Sequence, residues 1–194
     1  MEKYMDMEIL REREERKKEK YKSLEEGYYI AGQVVRFSRK KVMERFYMFL
    51  PDCMKIMPEQ MARIKYPSEF RPQEILTTAD LSVNLGFTVF SKQFGAEEME
   101  ELAKRMRSAI KRDHPDYAFD ECIKIEESGG YCFSFRSHAM DSDIYNGMLA
   151  VQMDRYAVLA NFNCPYTERE QWEEPVMLMW KTMEPLERKG DVER

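Results

Sequence analysis

Histidine is scarce in this chain, two in 194 residues, and the short motifs that announce chemistry are missing. There is no G-x-S-x-G elbow, no G-x-x-x-x-G-K-[ST] phosphate loop, no G-x-G-x-x-G turn and no H-E-x-x-H pair, which removes the usual grounds for proposing an enzyme or a bound nucleotide. Four cysteines (Cys53, Cys122, Cys132 and Cys164) form no C-x-x-C pair and read as small buried hydrophobes in a reducing compartment. No run approaches the ~18 apolar residues of a membrane span, and the first residues lack the apolar stretch of a secretion signal. The expectation is a cytoplasmic protein with no membrane insertion. A basic excess is lacking as well: the net charge is −5, and no basic patch is interleaved with aromatics, which argues against nucleic acid as the partner.

What is present in excess is charge, 35% of residues against the ~25% usual for globular domains. Much of it sits near the N-terminus, where Arg11 to Lys20 is wholly charged. Glu12 with Arg16 and Glu14 with Lys18 make i,i+4 pairs in the favourable order, so a solvated helix is expected. Met7, Leu10, Tyr21 and Leu24 fall on one heptad seam, but Glu14 and Lys17 interrupt it. Residues 1–26 are therefore expected to be a charged helical extension, with a docking or homodimerisation arm as its second use. Sixteen methionines suit core filling, with an adaptable binding face as the alternative.

Beyond Gly27 the pattern is that of a folded domain running to about residue 184. Aromatic, β-rich runs at 28–37 and 45–51 read as strands. Pro51, Pro58, Pro67 and Pro72 then punctuate a link with a short helix near 58–64. Strands follow at 74–78 and 82–90; in the latter Val83, Leu85, Phe87 and Val89 alternate with Ser82, Asn84, Gly86 and Thr88. Met99, Leu102, Ala103, Met106, Ala109 and Ile110 predict a helix over 96–113, ended by Pro115. Four strands are expected at 118–126, 130–138, 144–153 and 156–163. The closing helix has Thr167 and Glu170 as a capping box, an apolar stripe from Trp172 to Met183, and a Pro175 that should kink it. Residues 185–194 read as a polar tail. Such short connections require antiparallel pairing. The fold class is thus α+β: an antiparallel sheet of about six to eight strands covered by helices, an α/β/α sandwich.

The most site-like run is Ser134 to Asn146, SFRSHAMDSDIYN. Alternation puts Tyr131, Phe133 and Phe135 on one strand face, with Cys132, Ser134, Arg136 and His138 on the other. Asp141, Ser142 and Asp143 then fall in a turn, where short polar side chains bond their own backbone, and Tyr145, Leu149, Val151 and Met153 supply an apolar face to the partner strand. A structural hairpin accounts for the composition. The rival reading joins His138, Asp141 and Asp143 as a nitrogen and two oxygens suited to a divalent ion. No second histidine lies nearby in sequence, since His114 sits at the far end of the central helix. Cys164, at a strand end in NFNCPY, is the other candidate, a nucleophile with His138 beside it; Cys-Pro at that place also simply ends a ladder. Asn146, Asn161 and Asn163 read as sheet-organising amides, with contact to a partner as their alternative use.

Certain phrases carry a resemblance. FYMFLPDCMKIMP, YPSEFRP, SVNLGFTVF, DIYNGM and FNCPYTEREQWEEPVMLMWKTM resemble the uncharacterised bacterial branch of the PsbP/Mog/DcrB-like fold group, over about residues 37–184. The resemblance implies an antiparallel sheet between helices. Its better-known members are accessory and binding proteins: a partner of the Ran GTPase, an extrinsic photosystem subunit, and chaperones of secreted effectors. It supplies no catalytic, cofactor or metal residue to transfer. The expectation is a non-enzymatic protein-binding, adaptor or chaperone-like module with an unidentified protein partner and no cofactor. The alternative is a small hydrolase or metal-dependent enzyme using His138, Asp141 and Asp143, or Cys164.

Overall fold

The computed structural model describes residues 2–90, 94–139 and 141–186, with side chains from Met7 onward. Helix α1 (Glu2–Lys20) leads into three short strands, β1 (Lys22–Ser23), β2 (Gly27–Ile30) and β3 (Gln33–Val35). Then come β4 (Phe37–Val42), β5 (Phe46–Pro51), β6 (Lys55–Ile56), helix α2 (Glu59–Lys65), β7 (Glu74–Thr77) and β8 (Asn84–Phe90). Helix α3 (Glu98–Asp113) is followed by β9 (Ala118–Phe119), β10 (Ile123–Ile125), β11 (Gly130–His138), β12 (Asp143–Met153) and β13 (Tyr156–Pro165). A 3₁₀ turn (Tyr166–Glu168), helix α4 (Arg169–Lys181) and β14 (Glu184–Pro185) complete the chain.

The central element is an eight-stranded antiparallel sheet in the order β10-β11-β12-β13-β8-β7-β6, with β9 also pairing β11. Two small sheets flank it, β14-β5-β4 and β1-β2-β3. The α+β class and the helix-covered antiparallel sheet are those expected. One face carries Leu85, Phe87, Leu149 and Phe162, buried beneath α4 and the β4–β5 hairpin. Phe46 of β5 meets Phe87 edge-on at 5.6 Å, and the Phe49 N–H donates to Thr182 Oγ1 at 3.0 Å, which ties the hairpin to the end of α4. On the other face α3 buries Met99 and Ala103. Pro72 closes over Gly86, where any Cβ would meet the proline ring at 2.6 Å. The proline-rich link therefore serves as a cover.

Several boundaries differ from expectation. The 28–37 strand is two: Ala31 (φ 47°) and Gly32 (φ 80°) make a two-residue turn, so Ile30 pairs Gln33 and β2 doubles back on β3. Left-handed φ at both central residues is what lets the turn follow strand twist. The 118–126 strand is interrupted between Phe119 and Ile123, although the Asp120 N–H still bonds Ser134 O of β11 at 2.9 Å. The capping box does not form; Thr167 lies in the 3₁₀ turn and no side chain caps α4. Pro175 lies inside α4 and is buried. Of the expected polar tail, Pro185 pairs with Phe46 and residues 187–194 lie outside the described residues.

Candidate functional site

The hairpin β11–β12 places the first candidate group. Its register runs Arg136↔Tyr145 and His138↔Asp143, so Asp143 opens a strand rather than sitting in the turn. His138 Nδ1 lies 2.6 Å from Asp143 Oδ1, and Arg136 Nε donates to Asp143 Oδ2 at 2.7 Å. Both partners hold the carboxyl below its usual range, the His138 hydrogen bond first and the Arg136 bond second. The carboxylate is thus engaged at both oxygens. Asp141 is exposed in the turn, and among the described residues no three His, Cys, Asp or Glu gather as a metal site.

The second candidate does not join the first. Cys164 is 1% exposed in the core beneath α4, whereas His138 stands in solvent. Burial, with a smaller contribution from Glu168, pushes its thiol well above the ordinary cysteine value. A protonated, water-excluded thiol is a packing group, since the thiolate is the nucleophile. Cys132, expected on a polar face, is also buried and pushed up to about 12 by desolvation, because α4 covers that stretch of the sheet. Only the Arg136–His138 end of the face emerges.

Other groupings were not foreseen. His114 stacks on Tyr117 at 4.6 Å, and the same ring meets Phe135 at 5.9 Å and His138 edge-on at 6.1 Å. Both histidines therefore flank one tyrosine. Beside them Arg136 lies 4.5 Å over the Tyr166 ring, and Arg169 reaches Tyr166 Oη, Asp120 and Glu173, each at 3.2 Å. Tyr166 to Arg169 and Arg169 to Glu173 are i,i+3 and i,i+4 helical neighbours, a spacing visible in the sequence. A cavity of about 340 Å³ lies between α4 and β10–β11, bordered by Arg169, Tyr145, Ser134 and Ile123. Its polar walls are occupied: Ser134 Oγ bonds Asp120, and burial, then Glu173, pushes the Tyr145 hydroxyl up to about 12.

The amides of the sheet form a relay. Asn146↔Asn163, Asn163↔Asn84 and Asn84↔Thr77 lie in one row across β12, β13, β8 and β7, hence on one face. Thr77 Oγ1 donates to Asn84 Oδ1 at 2.8 Å, Asn84 Nδ2 to Asn163 Oδ1 at 2.9 Å, and Asn163 Nδ2 to Tyr66 Oη at 3.1 Å. Asn146 Nδ2 donates to Ser137 Oγ at 2.8 Å. These amides organise the sheet and the Tyr66 end of the cover.

A different surface carries exposed apolar side chains. Helix α2 buries none of its residues, and Met61 and Ile64 on it stand in solvent one turn apart. Phe70, in the loop after α2, is 94% exposed, and Ile56 of β6 is 66% exposed. The loop returns towards α2. Glu59 is held below its usual range chiefly by the hydrogen bond from Arg63 and, in smaller part, by Arg71. Sequence reasoning passed over this segment as a link; the run I-M-P-x-x-M-x-x-I-K-Y-P-x-x-F was its one available signal.

The fold is that of the PsbP/Mog-like group. The solution structure of cyanobacterial PsbP (CyanoP) from Synechocystis sp. PCC 6803 superposes with a TM-score of 0.53 at 7% identity, over 80% of this chain and 96% of that one. The Ran-binding protein Mog1p of Saccharomyces cerevisiae superposes with a TM-score of 0.51 at 7% identity, over 77% and 95%. At such identities the likeness is one of fold. No family model and no curated protein matches the sequence. Among the described residues no helix is long and apolar enough to cross a membrane.

Proposed function

We propose that this protein is a non-enzymatic protein-binding module, adaptor or chaperone-like, working in the cytoplasm. One observation carries the reading. His138 and Asp143 bond each other and Cys164 is buried, while α2 and its loop hold Met61, Ile64 and Phe70 in water. Exposing large apolar groups together costs solubility, and such patches characteristically mark interaction sites. The Ran-binding activity in the name of Mog1p, on the same fold, agrees with a binding use of this scaffold. Helix α1, exposed from Met7 through Lys20, serves as a secondary docking arm.

Affinity capture with the tagged full chain tests this. The wild type is expected to recover one protein reproducibly, and the double variant Ile64→Asp, Phe70→Asp to recover at least about tenfold less, the effect of losing an interface hot spot. His138→Ala and Cys164→Ser are expected to leave capture unchanged. Equal recovery by the Ile64/Phe70 variant, or no reproducible protein, contradicts the proposal.

A further inference from the structure

The exposed surface has both a sign and an edge, and for a chain that is a protein-binding module, as proposed, the two together define the occupant. From Arg36 to Arg71 nine Lys and Arg stand against four Asp and Glu, an excess of five positive charges in a chain whose net charge is −5. This segment also contains β6, which ends the eight-stranded sheet, so Lys55 and Ile56 present main-chain groups with no neighbouring strand in that sheet. Beside β6 a cavity of about 500 Å³ opens towards the end of β4. Its floor is apolar and buried (Val42, Leu50, Met54 and Leu76), and its charged lining is Lys40, Lys41 and Lys55 with Glu44 and Glu74.

We infer that an extended, acidic segment of a partner protein adds to β6, sets an apolar side chain into this cavity, and runs its carboxylates past Lys55. Strand addition at a sheet edge draws affinity from main-chain hydrogen bonds and specificity from pockets for alternate side chains. Lys41 is tied to Glu44 and Arg63 to Glu59, whereas Lys55 has no carboxylate partner among the described residues. Ile56 lies at the cavity as an apolar anchor, 66% exposed. An anionic bilayer suits the surface less well. A membrane cannot fill a concave cavity between two sheets.

Fluorescence anisotropy at low salt with the full chain decides the matter. Three probes are used: a short dye-labelled peptide alternating valine with glutamate, its counterpart with lysine for glutamate, and phosphatidylglycerol vesicles. The glutamate peptide is expected to bind and the other two not. Lys55→Glu, and separately Ile56→Asp, are expected to weaken binding at least about tenfold. Thermal melts confirm folding of these surface variants, and added salt should weaken the wild-type complex. Equal binding of the lysine peptide, binding of the vesicles, or indifference to charge reversal would overturn the inference. If the glutamate peptide fails while capture dependent on Ile64 and Phe70 persists, the acidic-segment inference alone falls. If that capture fails as well, the binding reading falls with it.

Discussion

Replacing Trp172 by alanine is expected to cost about 3–5 kcal/mol of stability and to lower Tm by roughly 10 °C. Trp172 is 2% exposed and lies where α4 meets the sheet, its ring 5.4 Å from that of Phe162. Its indole N–H donates to Glu168 Oε2 at 3.1 Å. Two effects compete for the credit, ring burial and the hydrogen bond. Glu168 is only half-buried, so the bond contributes about 1 kcal/mol, whereas the cavity left by the ring costs several times that. Trp172→Phe should therefore recover most of the loss. Chemical denaturation checks both variants; equal destabilisation by alanine and phenylalanine would mean that the hydrogen bond, not packing, holds α4 down.

Asn84→Leu is expected to cost on the order of 2–4 kcal/mol despite adding apolar volume, because it strips buried groups of their partners. Asn84 is fully buried; it accepts from Thr77 and donates to Asn163 and to Leu81 O. Asn84→Asp is the sharper test. A carboxylate there still accepts from Thr77 but faces two acceptors, so its folded-state pKa must rise above the unfolded value of ~3.9. A raised pKa means that the relative stability is greatest below the unfolded value and is lost as pH rises through the folded one. Asn84→Asp should thus lie nearest wild type in acid and fall away towards neutrality. Denaturation midpoints across that range measure it, and a pH-independent difference would refute the relay.

Where one face of a strand was the deciding burden, the sequence was readable. The alternation in Val83–Val89 and in Tyr131–Phe135 placed β8 and β11, and the helical spacing of Met99 and Ala103 placed α3. The β2–β3 turn escaped because alanine at φ 47° is not a turn signal, although the adjoining Gly32 is. Cys132 is buried, as expected of a cysteine here, but alternation alone could not show it, since it says which face a residue takes and not whether a helix covers that face. The meeting of His114, Tyr117 and His138 depends on tertiary geometry that no local pattern encodes. The candidate interface was missed for a related reason. Apolar residues between prolines read as incidental until α2 is seen to bury none of them.

The SFRSHAMDSDIYN hairpin illustrates how composition can mimic a site. Its Asp143 is engaged by Arg136 and His138, and its Asn146 holds Ser137. These contacts fix the register of β11 on β12. The residues with unmet potential lie elsewhere on the molecule, at the edge strand and the exposed helix.

Site-specific photo-crosslinking asks whether the exposed surface of α2 and its loop is where a partner docks. A photoreactive residue replaces Phe70 in one full-length chain and Ser108, exposed on α3, in another. A discrete protein adduct is expected at position 70, absent at position 108 and lost when Ile64→Asp is added. Equal adducts at both positions, or an adduct at 70 indifferent to Ile64→Asp, would contradict a docking role for α2 and its loop.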